Sequence, residues 1–104
     1  MTIQINSDHN VEVNESLTEY IKAEVAKSLH RFEEHVTRLE IHFRDENGAK
    51  GGADDKRCLI EARMEGHNPF AATCHEDTIQ KAFHGAIDKV KHALSKEMDK
   101  MKQH

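Results

Sequence analysis

Apolar residues along this chain switch three times between two periods, and the switches mark out its elements. "TIQIN", Thr2 to Asn6, alternates polar with apolar and predicts a short strand. "SDHN" then turns the chain. From there Leu17, Tyr20, Ile21, Val25, Ser28, Leu29 and Phe32, apolar but for Ser28, fall on one helical face at steps of three and four. The spacing predicts a helix that starts at an Asn14 N-cap, with Glu15 in its first turn, and stops near His35. Ser16 with Glu19 offers a rival capping box.

Period two returns at "VTRLEIHFR". Leu39, Ile41 and Phe43 face one way, and Arg38, Glu40, His42 and Arg44 the other, as in a half-buried strand. "DENGAKGGADD" holds three glycines and four acids with no apolar anchor, and predicts a mobile loop over about 45–55. "KRCLIEARME" is the next strand, with Cys58, Ile60, Ala62 and Met64 inward. "GHNP" turns the chain and "FAATC" makes a short last strand. A second helix is expected from about "HED" (His75–Asp77) to Lys102, with Ile79, Phe83, Ala86, Ile87, Val90, Leu94, Met98 and Met101 as its apolar stripe.

The order β-α-β-β-β-α predicts an α+β fold. Two amphipathic helices and a sheet with one apolar face have a simple solution: both helices cover that face and the other stays wet. With 104 residues, no internal repeat and no linker, one domain over 1–104 is expected. No apolar run approaches the roughly 20 residues of a membrane span. The opening "MTIQINSDHN" lacks the basic and apolar regions of a signal peptide, so a cytoplasmic protein with no membrane partner is expected. Cys58 and Cys74 then read as reduced, buried small residues.

Charge is distributed unevenly. The formal net charge is −4, yet Asp77 to His104 carries six lysines against four acids, +2, and the rest of the chain −6. At about 100° per residue, Lys89, His92, Lys96 and Lys100 fall within an arc of about 80° beside the apolar stripe, with Lys91 and Lys102 on the remaining polar arc. One reading is a solvated helix face on which Asp88 and Glu97 pair with lysines. The other is a ridge that meets phosphates.

Other chemistry is excluded by spacing. Nine histidines invite a metal test, but His30 and His35 lie on different sides of a helix end, and adjacent Cys74 and His75 point to opposite faces of a strand. No second pair completes a site, so no metal is expected. "NGAKGG" lacks the ending and following helix of a phosphate loop, and no nucleophile elbow accompanies Cys74. No enzyme activity, cofactor or small-molecule substrate is expected. The wet sheet face offers Arg38, His42, Arg44, Arg57 and Arg63 without aromatics, which argues against base stacking and leaves backbone or shape contacts.

The stretches "NVEVNESLTEYIKAEVAKSLHRF" and "HEDTIQKAFHGAIDKVKHALSKEMDKMKQH" resemble the first and last helices of the ribosome hibernation-promoting factor and ribosome-associated inhibitor family. The chain looks like a short-form, diverged member, without the second domain of longer members. The resemblance implies a four-stranded sheet with two helices on one face, akin to a double-stranded RNA-binding domain. It implies a non-enzymatic translation silencer, bound under stress or in stationary phase in the messenger and transfer RNA channel of the small ribosomal subunit. Ribosomal RNA phosphates would meet Lys22, Lys27 and Arg31 of the first helix and Lys89, His92, Lys96, Lys100 and Lys102 of the second. The alternative is a protein-interaction or regulatory module of the same fold that has lost ribosome binding. A third reading is a histidine-dependent metal- or pH-responsive protein.

Overall fold

A computed structural model describes residues 1–46 and 55–101. The elements follow the predicted order: β1 (Thr2–Ser7), α1 (Glu15–Ser28), β2 (Val36–Asp45), β3 (Lys56–Met64), β4 (Phe70–Glu76) and α2 (Ile79–Met101). The strands form one mixed sheet in the order β1-β2-β3-β4. β1 runs parallel to β2, as a crossover through α1 requires, and β2, β3 and β4 form an antiparallel meander.

The alternation sets which side is dry. Leu39, Ile41 and Phe43 of β2 and Cys58, Ile60, Ala62 and Met64 of β3 are buried. They join one core with Ile21 and Val25 of α1 and Ala82, Phe83, Ala86, Ile87, Val90 and Leu94 of α2. Ala82, outside the expected stripe, is fully buried, while Met101, inside it, is exposed. Cys58 is buried as expected, but Cys74 is only half-buried, and both thiols are free.

Two boundaries differ from the sequence reading. Asn14 does cap α1, its side chain accepting from the Leu17 N–H at 2.8 Å, so the rival capping box is not used. The helix nevertheless ends at Ser28, seven residues short of His35, and a separate 3₁₀ turn spans His30–Phe32. The Phe32 N–H donates to the Leu29 carbonyl and the His35 N–H to the Phe32 carbonyl, both at 2.9 Å. Tightening to three residues per turn keeps Leu29 and Phe32 on one side, and both are fully buried. At the other boundary, "HED" closes a strand instead of opening a helix: Glu76 still pairs with Lys56. The α2 cap is Thr78, whose Oγ1 accepts from the Lys81 N–H at 3.1 Å.

The predicted loop lies mostly outside the described residues, but its ends are tied. The Glu46 N–H donates to the Asp55 carbonyl at 2.9 Å. The Lys56 ammonium sits 2.8 Å from Asp55 Oδ1 and 3.3 Å from Asp45 Oδ2. His75 Nε2 lies 2.8 Å from Glu46 Oε1.

Candidate nucleic-acid interface

α2 supplies the ridge because its buried stripe fixes the helix's rotation. With Val90 and Leu94 turned into the core, Lys89, His92, Lys96 and Lys100 are all left exposed. Eleven residues at 1.5 Å rise spread them over about 16 Å, a length that spans several phosphates of one strand.

The four are not equivalent. Lys89 reaches back across the sheet edge: its Nζ donates to the Thr73 carbonyl of β4 at 2.8 Å. One of three ammonium donors is thereby engaged, and two stay available. His92 Nδ1 lies 3.0 Å from the Asp88 carbonyl of its own helix, and since a carbonyl only accepts, the proton is on Nδ1. Lys100 has only a marginal partner, Glu97 at 4.0 Å. Glu97 instead leans towards the β3–β4 turn, where its Oε1 lies 3.2 Å from His67 Nδ1. The acid expected to neutralise the ridge therefore answers mainly to another element.

The first-helix candidates separate. Arg31 belongs to the 3₁₀ turn and not to α1. Its guanidinium stacks 5.4 Å from the centroid of Phe32 and lies 3.7 Å from Asp99 of α2. The turn thus brings Arg31 to the C-terminal end of the ridge. Near the other end the Tyr20 hydroxyl bonds His84, so α1 and the turn run alongside α2 in the same sense. Lys22 and Lys27 are exposed on α1 but about 140° apart, so one strand of phosphates following α2 meets at most one of them. Lys102 lies outside the described residues.

The wet sheet face holds an arrangement that the sequence reading missed. Glu40 of β2 and Glu61 of β3 are directly opposed in register. His42 places Nε2 3.4 Å from Glu61 Oε1 and 4.0 Å from Glu40 Oε2. A carboxylate, an imidazole and a second carboxylate thus bring one ligand atom each within 4.8 Å of one another. The signal was in the sequence as Glu-x-His at strand spacing, but its third member comes from the neighbouring strand, which only the register supplies.

A family model described as sigma 54 modulation protein / S30EA ribosomal protein matches residues 3–102. The chain belongs to this family. Its members are ribosome-associated and non-enzymatic, in line with the resemblance of the two helices. Among curated proteins, the ribosome hibernation promoting factor of Salmonella typhimurium is 29% identical over 111 residues, covering 98% of this chain and all of the relative. Among solved structures, a ribosomal subunit interface protein from Coxiella burnetii superposes with a TM-score of 0.75 at 20% identity, covering 95% of this chain and 99% of the other. The N-terminal domain of Thermus thermophilus Protein Y gives 0.73 at 14% identity, covering 92% and 98%. At these identities the two structures speak for the β-α-β-β-β-α fold alone. Among the described residues no helix is long and apolar enough to cross a membrane.

Proposed function

We propose that this chain is a non-enzymatic translation silencer of the cytoplasm that binds the small ribosomal subunit in its messenger and transfer RNA channel. The observation that carries the reading is the exposed Lys89, His92, Lys96 and Lys100 ridge on α2, extended by Arg31 from the 3₁₀ turn, in a chain matched to this family from residue 3 to 102. Regular cationic spacing on a rigid helix suits a phosphate backbone and carries no base specificity. Lys22, Lys27 and Lys102 are auxiliary contacts in this reading. Family membership also supports the single domain over 1–104.

Co-sedimentation with purified small subunits tests it. Four phosphate contacts give a log–log salt slope of roughly −3 to −4, so raising salt from about 0.1 M to 0.4 M weakens binding by about two decades. Lys96→Glu with Lys100→Glu removes two contacts without touching the Lys89–Thr73 bond, and the slope shrinks by roughly 1.4 to 1.8. Salt-independent binding, or full binding by the double variant, overturns the ridge. No binding by the native chain at either salt selects the rival, a protein-interaction module on the same fold.

A further inference from the structure

We infer that Glu40, His42 and Glu61 on the open sheet face form a binding site for one divalent transition-metal ion of the zinc class. The site is separate from the α2 ridge and does not rest on the ribosomal reading.

The spacing of the three ligand atoms suits such an ion. A tetrahedral ion with ligand bonds of about 2.0–2.1 Å separates neighbouring ligand atoms by roughly 3.3–3.5 Å. His42 Nε2 is 3.4 Å from Glu61 Oε1 and 4.0 Å from Glu40 Oε2, so a small side-chain rotation closes the set. Backbone movement is not needed, because two ligands stand on one strand at i and i+2 and the third is a register partner.

His42 itself points the same way. Among the described residues its Nε2 has no hydrogen-bond partner, although the atom is shielded from solvent. The two carboxylate contacts lie within ion-pair range but are not aligned as hydrogen bonds. An imidazole nitrogen set between two carboxylates and hydrogen-bonded to neither is placed as a metal ligand would be.

Charge also favours a cation here. Two carboxylates directly opposed across a strand pair repel each other. A divalent cation neutralises both. Arg38 does so only in part: its Nε and Nη2 hold Glu40 Oε1 at 3.0 and 2.9 Å. That leaves Oε2, the oxygen nearer His42, pointing into the cluster. The Arg38 contact thus orients a ligand as outer-shell partners commonly do. One imidazole with two carboxylates favours zinc, cobalt or nickel over magnesium and calcium, which prefer all-oxygen sets. Three protein ligands leave further positions to water.

Titration with cobalt(II) chloride, followed by visible absorption and by calorimetry, tests the site, with zinc chloride as competitor. One equivalent is expected per chain. His42→Gln and Glu61→Gln should each weaken it about tenfold or more, while His75→Gln, on the same sheet away from the cluster, should not. Because the ion would clamp β2 to β3, zinc should raise the unfolding temperature of the native chain and not of His42→Gln. Absence of a one-equivalent phase overturns the proposal. So does equal binding by His42→Gln, which would assign the metal to other histidines.

Discussion

Gly85→Ala tests how α2 is seated. An added Cβ at Gly85 would overlap the Cys74 Sγ of β4 and lie 3.1 Å from the Cys74 Cβ. Two effects oppose each other. Alanine in a helix interior gains about 1 kcal/mol over glycine. Overpacking costs typically about 1–3 kcal/mol. The sulfur can rotate to another rotamer, which relieves the first overlap. The Cβ–Cβ approach cannot be relieved in that way, so helix and strand must part by some tenths of an ångström. The gain therefore offsets only part of the cost, and a net loss of up to about 2 kcal/mol is expected. In a domain of this size the upper end corresponds to roughly 8–16 °C in melting temperature. Urea denaturation of the native chain, Gly85→Ala, Cys74→Ala and the double variant forms a cycle. Removing the sulfur should cost less in the Gly85→Ala background than in the native one, a positive coupling. A Gly85→Ala protein more stable than the native chain, showing the helix gain without the overpacking cost, would refute the close approach. The result bears on function too, because Lys89 reaches Thr73 from the next turn of the same helix, beside Cys74.

Two further predictions concern titratable groups. Burial pushes the Cys58 thiol up to about 12, so at pH 8 only about one molecule in ten thousand carries its thiolate. A disulfide reagent should modify half-buried Cys74 first and Cys58 only as the strands open, and equal rates for both would contradict this. A hydrogen bond from the Lys56 ammonium holds the Asp55 carboxyl below its usual range. A lowered folded value contributes stability above the unfolded pKa of about 3.9 and loses it as pH falls through the folded value. Lys56→Met should move the Asp55 titration upwards by NMR and flatten the acid limb of the stability curve; an unmoved titration refutes the pairing.

The inward residues of β2 and β3 were legible because period-two alternation survives any error at strand ends, and Leu39, Ile41, Cys58 and Ile60 are all fully buried. Asn14 was legible as a local cap. The end of α1 was not: Leu29 and Phe32 fit both a 3.6-residue and a three-residue repeat over so short a span, and only packing decides between them. The start of α2 was misread because "HED" carries the acids of a helix N-terminus, whereas Glu76 is held in the sheet by pairing with Lys56. Exposure of the ridge followed from the apolar stripe, but the Lys89–Thr73 bond did not. It depends on Gly85 letting the helix lie close against the edge strand that precedes it, a packing distance that no local pattern reports.

An acidic chain can present a basic surface where its acids are engaged elsewhere. The acids flanking the central loop are engaged where they stand: Asp45 and Asp55 with Lys56, and Glu46 with His75 and Arg57. Glu97, the carboxylate nearest the ridge's centre, is drawn to His67. At physiological salt, charges more than about 8 Å away on an exposed surface are largely screened. The potential along α2 is therefore set by its local charges, Lys89, Lys96, Lys100 and the neighbouring Arg31 against Asp88, Glu97 and Asp99, and not by the total of −4. Net charge governs how the chain behaves in bulk solution. The rotation of one helix, fixed by Phe83, Val90 and Leu94 in the core, governs what that helix can touch.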